Sequence, residues 1–148
     1  MKRVLLATLL LSACTSAERL RWVINTSNPQ APVAIYGPER PTEGDAGLSC
    51  AASRNMLELF LVSDAPLTDG RPISLKANGK EIRVRERFDS DGLGVSYFEI
   101  PRTAPITREI AGTAKHLSFA LPAGEIRLPL GAPARQIARQ CLVSTNVR

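Results

Sequence analysis

The chain predicts an α+β, mainly β domain, built as one antiparallel sheet or compact sandwich of six to eight short strands with two short helices. Three observations lead there. Apolar and polar residues alternate with a strand's period on both sides of Asn78-Gly79. Further runs of strand length are separated by clusters of Gly, Pro and Asp. Two stretches of the C-terminal third carry apolar residues at helical spacing.

In chain order, Leu20-Arg21-Trp22-Val23-Ile24 has the alternation and aromatic content of a first strand. From Asn28 to Gly47 the prolines 29, 32, 38 and 41 and three glycines predict a long loop or edge-strand region, interrupted by Val33-Ala34-Ile35-Tyr36. Long irregular segments in small domains are often functional, so this loop is a candidate partner site. Met56 to Val62 is a mostly apolar run, expected as a central strand. Ile73–Ala77 and Glu81–Arg85 then form a β-hairpin, because Asn-Gly accepts the positive φ angles of a two-residue turn. Its inward face is Ile73, Leu75, Ile82 and Val84; Ser74, Lys76, Glu81, Arg83 and Arg85 make a wet face. A turn at 89–94 leads into the strand Val95–Ile100. Ile106, Ile110, Ala111 and Ala114 share one stripe of a short helix, with Thr107, Arg108 and Lys115 off it. Two alternating strands follow, Leu117–Leu121 and Glu125–Leu130, joined by Pro122-Ala123-Gly124, with Pro129 marking an edge. In the last helix Ala134, Ile137, Ala138 and Cys141 fall at i, i+3, i+4 and i+7, so Cys141 faces the core.

The first residues are of another kind. Lys2 and Arg3 precede the apolar run Val4 to Leu11, which is shorter than the roughly 20 residues that a spanning helix needs. The run closes on Leu11-Ser12-Ala13-Cys14. These residues resemble the lipobox of bacterial lipoprotein precursors: a Leu, two small residues, and the Cys whose thiol takes a diacylglycerol before the leader is removed. The resemblance implies a signal peptide over residues 1–13, a lipidated Cys14 carrying a palmitate-type N-acyl chain as well, a tether over 14–19, and a single periplasmic domain over 20–148. Two or more chains hold a protein stably at a membrane. Thr15, not Asp, follows the cysteine, which by the same resemblance favours the outer membrane and its periplasmic face. The alternative is an ordinary leader cut after Ala17, which releases a soluble periplasmic or surface protein.

Removing that leader leaves 135 of the 148 residues, enough for one domain, and lowers the net charge from +5 to +3. The remaining charges are interspersed, and the densest basic stretch, Lys80 to Arg87, also holds Glu81 and Glu86, so nucleic acid is not an expected partner. With Cys14 assigned to lipid by resemblance, Cys50 and Cys141 remain as an even pair in an oxidising compartment. A disulfide between them is expected; two unpaired buried thiols are the alternative.

Chemistry-bearing patterns are sparse. His116 is the only histidine, and the only base near a hydroxyl nucleophile, Ser118. Asp89 with Asp91, and Asp64 with Asp69, are the available carboxylate pairs, all in turn sequences. Asp89-Ser90-Asp91-Gly92 has the opening of a calcium loop without its downstream Glu, and there is no Cys-x-x-Cys, so no metal is expected. No glycine-rich strand-to-helix loop implies a nucleotide, and no cofactor is expected. Residues 110–141 loosely resemble small exported bacterial domains of the invasion-associated-locus-B type, which implies a β-rich periplasmic domain and no functional residue. The expected function is therefore a lipid-anchored, non-enzymatic binding or assembly-accessory module. Its partners are the membrane, through Cys14, and an envelope protein or glycan met by its surface or proline-rich loop. A cell-wall hydrolase or hydrolase inhibitor is the remaining alternative.

Overall fold

The computed structural model describes residues 20–37 and 45–143. The leader, Cys14 and the tether lie outside the described residues, as do Pro38 and Pro41. The alternating runs pair into two antiparallel sheets. The first has the order β1-β2-β3-β4-β8-β7, where β1 is Arg21–Asn25, β2 Val33–Gly37, β3 Ala46–Ala51, β4 Met56–Val62, β7 Glu86–Asp89 and β8 Val95–Pro101. The second has the order β10-β9-β5-β6, from β5 Ile73–Ala77, β6 Lys80–Val84, β9 His116–Leu121 and β10 Gly124–Pro129. Two helices complete the fold, α1 Pro105–Ala111 and α2 Ala132–Val143, with a 3-10 turn at Ala52–Arg54.

The fold class is the one the sequence predicts, α+β and mainly β. The hairpin turn has Asn78 at φ 48° and Gly79 at φ 74°, as a two-residue turn requires. β4 lies inside its sheet and β10 is an edge. Among the described residues ten strands stand where six to eight were expected. Two were not anticipated, β3 and β7, and β2 is interior, with β1 outside it, where a loop or edge was expected. β3 begins Ala-Gly and reads as loop because its strand character comes from a neighbour. The Phe60 ring lies over Gly47, where a Cβ would meet Phe60 Cζ at 2.0 Å and the Ala34 carbonyl at 2.8 Å. Only a residue without a side chain fits there.

Both sheets turn their apolar faces to one core. Leu48, Leu57, Leu59, Phe98 and Ile100 of the first sheet and Leu75, Leu117 and Phe119 of the second are fully buried. At the sheet edges Trp22 Nε1 donates to the Pro129 carbonyl at 2.7 Å, tying β1 to β10. The expected stripe of α2 is buried throughout, and Cys141 is disulfide-bonded to Cys50, pinning the helix to β3. α1 stops at Ala111, so Ala114 is buried beyond the helix, and Thr107, read as off the stripe, is fully buried. Its hydroxyl donates to the Pro101 carbonyl at 2.9 Å, which satisfies a group that would otherwise be costly there. The C-terminal carbonyls of α1 are met by α2: Arg139 donates to Ala111 O at 2.8 Å and Arg135 to Gly112 O at 2.7 Å.

Candidate functional site

One alternation runs unbroken from Lys80 to Asp89, yet its first half belongs to β6 and its second to β7. The chain crosses from one sheet edge to the other at Arg85. Val84 is buried and Glu86 half-buried, while Arg83, Arg85 and Arg87, which alternate with them, are exposed. This crossing forms one wall of a groove of about 370 Å³, opposed by Tyr97, Glu99 and Pro101 of β8 and by Met56.

The groove floor continues into a network on the outer face of the first sheet. Register places Glu58 of β4 opposite Glu99 of β8, a like-charge pairing that repels unless a cation intervenes. Arg54 intervenes. Its guanidinium donates to Glu58 Oε2 at 3.0 Å and also to Glu99, and the two carboxylates hold its proton more tightly than usual, the Glu58 hydrogen bond first. Arg87 reaches the same Glu58 oxygen at 3.1 Å and lies 4.2 Å above the Tyr97 ring. Arg83 and Arg85 differ. Arg83 donates to the Pro72 carbonyl at 3.4 Å and Arg85 to the Gly70 carbonyl at 3.2 Å; neither is hydrogen-bonded to a carboxylate among the described residues, although the charge of Arg83 acts on nearby Glu81. Two guanidiniums two residues apart therefore line the groove edge with donors to spare.

Glu86 holds the crossing in place. Its carboxylate accepts the backbone N–H of Leu67 at 2.6 Å and of Thr68 at 2.8 Å, the Thr68 hydroxyl at 2.6 Å, and the Ser96 hydroxyl. That latches the β4–β5 connection onto β7 and β8. Burial pushes the Glu86 carboxyl up, but the hydrogen bonds from Ser96, Thr68 and Leu67 together outweigh it and leave the group below the usual carboxylate range. A pKa lowered by folding contributes stability that is present above the unfolded value, about 4.3 for Glu. That stability is lost as pH falls through the lowered folded value. Glu86→Gln is therefore expected to cost about 1–3 kcal/mol at pH 7 and clearly less at pH 3, as urea unfolding midpoints at the two pH values will show.

The other candidate residues lie apart from the groove. His116 heads β9, exposed, and no hydrogen bond joins it to Ser118 among the described residues. Asp89 Oδ1 accepts the Asp91 N–H at 2.9 Å, and Asp69 Oδ1 accepts the Arg71 N–H at 3.2 Å, so both serve their turns. Asp64 is exposed in the β4–β5 connection. Among the described residues no group of three His, Cys, Asp or Glu is placed to hold a metal ion, and no helix is long and apolar enough to cross a membrane. The described half of the proline-rich segment, Pro29 to Pro32, borders a second groove of about 340 Å³ against Gln140 and Val143 of α2, without a charged side chain. Arg54, Glu58, Arg87, Tyr97 and Glu99 were not anticipated as a group. The signal in the sequence is the spacing of Arg83, Arg85 and Arg87 on one face; their carboxylate partners come from strands far away in the chain.

Compared with known proteins, the chain matches no family model, no curated protein and no solved structure at a significant level.

Proposed function

We propose that this chain is a lipid-anchored, non-enzymatic binding module of the bacterial envelope, held at the outer membrane by Cys14 and engaging an acidic segment of an envelope protein through the arginine-lined groove. The observation that carries the binding half is the pair Arg83 and Arg85, exposed at a groove edge and hydrogen-bonded there only to the carbonyls of Pro72 and Gly70 among the described residues. Guanidinium forks match carboxylates in geometry as well as charge. β6 is moreover an edge strand among the described residues, so a partner's extended backbone can add to it beside those side chains. The anchor half is supported by the lipobox at Leu11 to Cys14.

Each half has its own test. Palmitate is expected to label the wild type and not Cys14→Ala; label retained in the variant overturns the anchor and favours cleavage after Ala17. A photo-crosslinking residue at Lys80 is expected to capture an envelope protein through an Asp/Glu-rich segment. Reversing charge at both Arg83 and Arg85 to Glu should lower that capture about tenfold or more. Undiminished capture by the double variant removes the groove as the site.

A further inference from the structure

We infer that one end of the sandwich, marked by Leu20, Val62, Leu93 and Ile126, rests on the lipid surface that Cys14 enters; this rests on the anchor reading above. Five large apolar residues stay exposed among the described residues, and the fifth, Val143, sits on α2. Leu93 is 79% exposed and Leu20 52%, the two largest values outside that helix. Single exposed apolar residues are ordinary, but these four share a place. Strand β1 starts here, β4 ends here, and the Val62–Val95 pairing puts the loop of Leu93 beside Val62, with Ser63 N–H donating to Gly94 O at 3.2 Å. Leu20, Val62 and Ile126 border one apolar groove of about 360 Å³ between the two sheets, with Leu61 and Leu128 at its base.

The chain itself brings this end to the membrane. Leu20 is six residues beyond Cys14, a span of at most about 20 Å when fully extended. The five-residue strand β1 is about 17 Å long, so turning the opposite end to the bilayer would consume nearly the whole reach of the tether. The exposed apolar side chains thus lie at the end that the anchor holds near the headgroups. Charge does not assist the contact. The segments around this end hold Arg21 and Arg127 but also Asp45, Asp64, Asp89, Asp91 and Glu125, no excess of positive charge, so the contact is apolar and needs no anionic lipid. In this orientation the Met56 and Pro101 end of the arginine groove points away from the lipid, towards a partner.

The test uses the full lipidated chain in phosphatidylethanolamine and phosphatidylcholine vesicles whose acyl chains carry bromine. Cys14 is acylated and Cys50 is bonded to Cys141, so one introduced cysteine takes an environment-sensitive fluorophore alone. Asp91→Cys marks the proposed contact end, and Ser53→Cys the opposite end. Bromine quenching at position 91 is expected to be several times that at 53, unchanged in high salt, and reduced towards the value at 53 by Leu93→Glu. Equal quenching at both positions, or quenching at 53 alone, overturns the orientation while flotation with the vesicles leaves the anchor standing. Wild type that floats no better than Cys14→Ala removes the anchor, and this inference with it.

Discussion

Replacing Cys50 and Cys141 together by alanine is expected to lower the unfolding free energy by about 4–5 kcal/mol, following the chain-entropy relation for a loop of this size. The two cysteines are 91 positions apart, so the bridge closes most of the described chain into one loop and removes many conformations from the unfolded state. In the folded state little is lost by the change. Cys141 is fully buried on the α2 stripe beside Ala138, where a methyl group is tolerated, and Cys50 is half-buried at the end of β3. Domains of this size are stable by about 5–15 kcal/mol, so the loss is a large share of the total. Urea unfolding followed by Trp22 fluorescence measures it, and reductant added to the wild type should shift the midpoint in the same direction. A double variant as stable as the wild type would mean that the helix–sheet packing alone fixes α2 and that the crosslink is superfluous.

That bridge also shows which parts of the molecule are legible in a sequence. Where the determinant is local, the residues announce the structure. Asn78-Gly79 fixes its hairpin through backbone angles two residues can satisfy by themselves, and the i, i+3, i+4, i+7 spacing ending at Cys141 fixes the buried side of α2. Where the determinant lies across the fold, they do not. Ala46 to Ala51 carries little strand propensity of its own; it becomes β3 because Leu48 enters the core and the Phe60 ring needs the space above Gly47. Glu86 to Phe88, between the end of the hairpin and the turn at 89–94, announces no separate strand, yet β7 forms there because Glu86 is held by Leu67, Thr68 and Ser96. The groove divides the same way. The spacing of Arg83, Arg85 and Arg87 is visible in a line of text, whereas the Glu58–Glu99 pair that Arg54 bridges exists only once β4 and β8 are in register. Pairings between distant strands are the part of a β-rich fold that periodicity leaves unspecified.

The same dependence on distant partners makes Phe98→Ala the second large expected loss, about 3–5 kcal/mol. Phe98 projects from β8 in the first sheet and Phe119 from β9 in the second; both are fully buried, with ring centroids 6.2 Å apart and planes tilted by 58°. Tilted rings at this separation place the positive edge of one towards the negative face of the other, which adds about 0.5–1.5 kcal/mol to the burial itself. Removing either ring opens a cavity at the seam between the sheets, where neither backbone moves without disturbing its neighbours in the ladder. Phe119→Ala is expected to cost a similar amount, and the double variant less than the sum of the two by the ring–ring coupling. Phe60→Ala is the control. Its ring is half-buried on the outer face over Gly47, so its loss removes less buried surface and leaves the seam intact. Denaturation of the four variants decides it. Equal losses at Phe60 and Phe98, or additive losses at Phe98 and Phe119, would show that the two sheets are not joined through this pair and that α2 and its disulfide carry the union instead.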